Sequence, residues 1–120
     1  MKVLLAEDEP DVQLIARLSL KKAGLEVATV NNGIEALARV AVERPDVILL
    51  DWMMPDMDGF ETCTRLKADP ATRDIPVIFL TAKVQESEVA KALALGAAGC
   101  IGKPFDALTL GAQVIHILGK

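Results

Sequence analysis

Hydrophobic and polar positions alternate along the 120-residue chain between short unbroken apolar runs and longer stretches with helical spacing. The most distinctive run is Val47-Ile48-Leu49-Leu50, held between Asp46 and Asp51 and followed directly by the turn-forming stretch Trp52–Gly59. Four aliphatic residues bounded by turn signals predict a strand covered on both faces, as in a parallel sheet. Similar runs predict strands over Lys2–Ala6, Leu25–Val30, Ile75–Leu80 and Gly99–Gly102. Pro76 falls at the start of its run, where a missing N–H donor is tolerated.

Each strand is followed by a stretch of helical period. Pro10 suits a first helical turn and Lys21-Lys22 before Gly24 a last one, with Val12, Leu14, Ile15 and Leu18 as the expected apolar stripe. Ile34, Leu37, Ala38 and Ala41 predict a second helix ending at Arg44-Pro45, and Phe60–Ala68 a third, broken by Asp69-Pro70. Val89, Ala92, Leu93 and Gly96 predict a fourth helix. A fifth carries two stripes, Leu110/Val114/Ile117 and Leu108/Ala112/Ile115. One stripe suffices to cover a sheet, so the second is expected to be a partner surface or to be buried by a deeply set helix.

Five strand–helix units with short connections predict a single α/β domain over residues 1–120. The expected architecture is a doubly wound, five-stranded parallel sheet of order 2-1-3-4-5 with five helices, a flavodoxin-like arrangement. In that order the first and third strands are neighbours, and ligands collect at the carboxyl ends of the strands beside the switch point.

Composition narrows the class. Half the residues are hydrophobic, enough for a core without disulfides, and the net charge of −4 argues against nucleic acid or an anionic membrane as direct partner. No apolar run approaches a membrane span, and Met1-Lys2 leads straight into a strand with no cleavage-site pattern. Cys63 and Cys100 lack metal-ligand spacing and suit a reducing, cytoplasmic compartment.

The expected chemistry lies at the strand exits: Glu7-Asp8 after the first, Asp51 after the third, Thr81 after the fourth and Lys103 after the fifth. Converging carboxylates repel unless a cation joins them, and hard oxygen donors with room for water suit Mg2+. An ionised carboxylate beside such a cation can attack phosphorus and form an acyl phosphate, with the Lys103 ammonium and Thr81 hydroxyl on the phosphoryl oxygens.

The stretches Leu5-Ala6-Glu7-Asp8-Glu9, Asp51-Trp52-Met53-Met54-Pro55 with Asp58-Gly59, Phe79-Leu80-Thr81-Ala82, Gly96-Ala97 and Lys103-Pro104-Phe105 resemble, in order and spacing, the receiver domains of bacterial two-component response regulators. The resemblance covers essentially the whole chain. It implies Asp51 as phosphoacceptor, and Mg2+ held by Asp8, Asp51 and the Met53 backbone carbonyl, with Glu7 acting mainly through a metal-bound water. It further implies Thr81 and Lys103 on the phosphoryl group, and a cis Lys103–Pro104 peptide. The implied partners are a sensor histidine kinase or histidine phosphotransfer protein, and a downstream protein or a second copy on the surface of helix 4, strand 5 and helix 5. Such a domain catalyses only its own phosphorylation and dephosphorylation.

Two positions bear on the switch and on the phosphoryl lifetime. Receivers usually carry Tyr or Phe three residues before the lysine, where this chain has Cys100, which cannot swing a ring between two states. Its apolar flanks argue against a redox role. Met53 and Lys83 occupy the family's rate-tuning positions, and Met53 offers no acid or amide to orient water, so rapid self-dephosphorylation is not expected.

Three rival readings fare worse. An aspartyl-phosphate hydrolase needs a second acid where Met53 stands. A flavin or nucleotide binder needs a glycine-rich loop where Glu7-Asp8-Glu9-Pro10 stands. A degenerate receiver acting only as a binding module is the remaining alternative, and it would require the acidic pocket, Asp51 or Lys103 to be broken.

Overall fold

A computed structural model describes residues 1–82, 85–103 and 105–119. The strands are β1 (Lys2–Ala6), β2 (Glu26–Val30), β3 (Val47–Asp51), β4 (Val77–Thr81) and β5 (Gly99–Gly102). They alternate with helices α1 (Pro10–Lys22), α2 (Gly33–Glu43), α3 (Gly59–Ala68), α4 (Glu86–Ala94) and α5 (Leu110–Ile117). All four strand pairings are parallel, and the sheet order is β2-β1-β3-β4-β5, as expected. Thr81 is the last residue of β4, one place further along the strand than its apolar run suggested.

Period-two alternation along the central strands splits the core between the two faces of the sheet. Leu4, Ile48, Leu50, Val77 and Phe79 pack with buried residues of α2, α3 and α4, including Val40, Leu66 and Ala92. Val3, Leu5, Leu49, Ile78 and Leu80 pack with Ala16 and Leu20 of α1 and with Leu110 and Val114 of α5. With both faces covered, β3 and β4 are buried along their whole length, which is why they read as continuous apolar runs.

The helix starts are built locally. Pro10 opens α1, Asn32 caps α2 by accepting from the Glu35 N–H at 2.8 Å, and Asp58 caps α3 by accepting from Glu61 at 2.9 Å. Gly59, the first residue of α3, lies so close to the Asp51 carbonyl that a Cβ there would run into that oxygen. Its N–H donates to the Trp52 carbonyl at 3.2 Å, so the loop carrying Asp51 is pinned to the start of α3.

Two helices turn a different face inward from the one predicted. On α1, Leu14, Ile15 and Leu18 are exposed, and Ala16, Ser19 and Leu20 are buried. On α2, Ile34, Ala38 and Ala41 face outward, and Gly33, Ala36 and Val40 face the sheet, with Leu37 half-buried. Close approach favours small side chains on the inner face: Ser19 Oγ donates to the Ala107 carbonyl, and a Cβ on Gly111 of α5 would strike Ala23. On α4, Ala92 is buried but Leu93 is exposed, and Gly96 lies beyond the helix with φ +94°. On α5 the Leu110/Val114/Ile117 stripe faces the sheet; of the other expected stripe, Leu108 lies in the turn before the helix and is exposed, Ala112 is exposed and Ile115 half-buried, so these residues are not taken up by the core.

Candidate functional site

The parallel registers bring four strand exits together. Ala6 aligns with Leu50, Asp51 with Leu80, and Thr81 with Gly102, so the residues after β1, β3, β4 and β5 share one edge. The Lys103 N–H donates to the Thr81 carbonyl at 2.7 Å, extending the β4–β5 ladder by one step and holding the lysine at that edge.

Glu7 is fully buried and Asp51 is 4% exposed, whereas Asp8 is exposed in the loop before α1. Carboxylate oxygens of these three residues lie within 4.8 Å of one another. The Lys103 ammonium sits 2.6 Å from Glu7 Oε1 and 3.0 Å from Asp51 Oδ1. Glu7 Oε2 accepts from the Glu9 N–H at 3.1 Å, and the Met53 N–H reaches Asp51 Oδ1 at 3.4 Å. Met53 lies in the loop after β3 with its side chain 75% exposed. Pro104 and Lys83 lie outside the described residues, and with them the expected cis peptide and the second rate-tuning position.

The electrostatics follow from this packing. Burial first, and then the facing Glu7 carboxylate, push Asp51 up to about 7, against the pull of Lys103. Burial alone would lower the Lys103 ammonium, but hydrogen bonding and charge from Glu7 and Asp51 outweigh it and the net shift is upward. One ammonium therefore serves two buried carboxylates, and Asp8 adds a third acid.

The donor set fits a divalent cation. Glu7 Oε1 is buried and accepts no well-aligned hydrogen bond among the described residues; its contact with Lys103 is an ion pair. Hard carboxylate oxygens grouped this closely, with Asp8 open to water, match what Mg2+ accepts.

Because the folded protein holds the Asp51 proton above the ordinary carboxylate value, this group's contribution to stability is full below about pH 4 and is lost as pH rises through about 7. A cation must displace that proton. The apparent affinity for Mg2+ is therefore expected to rise between about pH 6 and about pH 8. Titration followed by Trp52 fluorescence checks this, and an affinity independent of pH would contradict it.

Several contributors escaped the sequence reading. Gln13 Nε2 donates to the Glu7 carbonyl at 2.9 Å and to Asn31 Oδ1 at 3.2 Å, tying α1 to the exits of β1 and β2. Trp52 packs edge-on against Phe60 and Phe79, with ring centroids 4.0 and 5.0 Å away, and Lys91 of α4 lies 4.7 Å over the Phe60 ring. Glu9 and Glu88 join Asp51, Thr81 and Lys103 around a cavity of about 440 Å3. Nothing in the sequence pointed to Gln13, because the inward face of α1 was itself misplaced; the positions of Glu9 and Glu88 depend on how the loop and α4 pack.

Fold and site together define an α/β domain with an acidic, lysine-capped pocket at the carboxyl edge of its sheet. Residues 3–115 match the response regulator receiver domain model, and the chain belongs to that family. It is similar to the phosphate regulon transcriptional regulatory protein PhoB of Rhizobium meliloti, at 41% identity over 99% of this chain and 52% of that protein. Protein PilG of Pseudomonas aeruginosa is 36% identical over 98% of this chain and 87% of that one. Among solved structures, the chemotaxis response regulator CheY4 of Vibrio cholerae superposes with a TM-score of 0.91 at 33% identity, covering 97% of each chain. The chain spans about half the length of PhoB and of the Bacillus subtilis regulator PhoP. Receiver domains bind Mg2+ at an acidic pocket and act as signalling phosphoacceptors between histidine kinases or phosphotransfer proteins and downstream targets. Among the described residues, no helix is long and apolar enough to cross a membrane.

Proposed function

We propose that this domain accepts a phosphoryl group on Asp51 from a histidine kinase or histidine phosphotransfer protein in the cytoplasm, and that it needs Mg2+ to do so. The observation that carries this reading is the pairing of one ammonium, Lys103, with two buried carboxylates, Glu7 and Asp51, at the exits of neighbouring strands. Asp8, Asp51 and the Met53 carbonyl are the proposed metal ligands, with Glu7 acting through a bound water. The cation would supply charge neutralisation on the phosphoryl oxygens.

The chain's own groups do the rest. An Asp51 carboxylate oxygen forms the new bond to phosphorus while the donor's bond breaks, and the donor's electron pair leaves with its imidazole. Lys103 shifts its ion pair toward the incoming phosphoryl oxygens, giving up part of its hold on Asp51. Thr81, buried at the end of β4, donates its hydroxyl to the same group.

The readout is proposed to leave through α4, β5 and α5. Cys100 on β5 is half-buried, and its thiol is pushed up by burial and then by the charge of Glu88, which suits an inert packing residue. With no ring there to swing, movement of Thr81 and α4 carries the signal. The outward stripe of Leu108, Ala112 and Ile115 is the proposed seat for a protein partner or a second copy.

Incubation of the protein with acetyl phosphate, with and without Mg2+, tests the reading by intact mass. A phosphoryl adduct that needs Mg2+ is expected. Absence of the adduct under conditions where Mg2+ is shown to bind would instead favour a binding module that works without phosphorylation.

A further inference from the structure

Glu9 and Glu88 have no part in the pocket's ion pairs, yet both line its cavity. Glu9 precedes α1, Glu88 stands in the first turn of α4, and both line the cavity of about 440 Å3 that leads to Asp51. Among the described residues lining that cavity, they are the charged groups other than Asp51 and Lys103 themselves. Neither carboxylate forms an ion pair with a described residue. The remaining lining is apolar or neutral: Trp52, Met53, Thr81 and Ala82. The single ammonium within is already shared by Glu7 and Asp51. Among the described residues lining the cavity, an incoming phosphoryl donor therefore meets two carboxylates with no ion-pair partner on its way to Lys103 and to the metal proposed beside Asp51.

We propose that Glu9 and Glu88 are specificity-determining residues that select the phosphoryl donor by its charge, favouring phosphoramidates, with their protonated nitrogen, over doubly anionic acyl phosphates. This rests on Asp51 being the phosphoacceptor and adds a discrimination between donors to it. With acetyl phosphate, the Asp51 oxygen bonds to phosphorus as the phosphorus–oxygen bond breaks, and acetate leaves carrying the electron pair. With phosphoramidate, the phosphorus–nitrogen bond breaks and ammonia leaves, its nitrogen having been protonated beforehand. The phosphoryl group delivered is the same, but the donors approach with different net charge. Charges on the cavity lining act on an incoming donor across water, so each is worth a modest factor that salt should remove.

The test compares initial rates of adduct formation by intact mass, with Mg2+ at low ionic strength, for acetyl phosphate and phosphoramidate. The proteins are wild type, Glu9→Gln, Glu88→Gln, the double variant and Glu88→Lys. The double variant is expected to raise the acetyl phosphate rate relative to the phosphoramidate rate by about threefold, with Glu88→Lys shifting the ratio in the same direction. In about 1 M salt, where the screening length is about 3 Å, the ratios of variants and wild type should converge. An unchanged ratio at low salt, equal acceleration with both donors, or a shift that survives high salt would overturn the proposal. Failure of the wild type to take phosphate from either donor would instead overturn the phosphoacceptor reading, and the proposal with it.

Discussion

Asp51→Asn is expected to abolish the phosphoryl adduct while making the Mg2+-free protein more stable, by about 0.5–2 kcal/mol. The first effect is chemical, since a carboxamide lacks the anionic oxygen that attacks phosphorus. The second follows from the pocket's electrostatics. Asp51 is 4% exposed, faces the Glu7 carboxylate and is held near 7 by burial, so its charged form is costly at neutral pH. The neutral isostere removes that cost and leaves Lys103 with Glu7 at 2.6 Å, still a paired buried charge. Urea unfolding in a chelator measures the stability, and intact mass after acetyl phosphate with Mg2+ measures the chemistry. The opposed signs matter, because a variant inactive through misfolding would lose stability. An adduct that persisted in Asp51→Asn would place the nucleophile elsewhere in the pocket.

The same contrast between site and scaffold explains how much could be read from the sequence. Strands buried on both faces carry unbroken apolar runs, so Val47–Leu50 and the run through Phe79-Leu80 announced themselves, and strict alternation of strands with helices set the sheet order. The gathering of Glu7, Asp51, Thr81 and Lys103 at one edge was legible for the same reason, because a polar residue at the end of an apolar run falls at the end of a strand. The faces of α1 and α2 were not legible. Both helices carry two apolar stripes, and the larger side chains, Leu14, Ile15, Leu18 and Ile34, point outward. The sheet is met by smaller ones such as Ala16, Ser19 and Ala36, which allow close approach. Hydrophobicity ranks a leucine above an alanine, while packing at short range favours the alanine. Glu88 escaped for a different reason: its place at the cavity follows from how α4 packs over β5, which no local pattern encodes.

Phe79→Ala is expected to cost about 3–5 kcal/mol, the range for emptying a fully buried aromatic site. Phe79 has no exposed surface, lies on β4 between Leu50 and Cys100 of the neighbouring strands, and presents its ring to Trp52 at 5.0 Å and to Phe60 at 5.7 Å. Collapse of the surroundings cannot easily refill the space. Backbone closes off one side, because Gly59 is wedged against the Asp51 carbonyl, and a Cβ there would already lie 3.1 Å from the Phe79 ring. The cavity would open directly beneath the residue that follows Asp51, so the loss should reach the site as well as the core. Trp52 emission is expected to move to longer wavelength as the ring loses its packing partner, and Mg2+ affinity to fall as the β3–α3 loop loosens. Urea unfolding together with a Mg2+ titration separates these effects. A cost below about 1 kcal/mol with unchanged Trp52 emission would contradict the packing described for this face of the sheet, since surface substitutions stay near or below that size. Asp51→Asn raises stability and ends the chemistry, whereas Phe79→Ala should lower stability and only weaken the chemistry. Measuring both in one protein shows where the acidic pocket's cost in stability is offset: in the aromatic packing just below it.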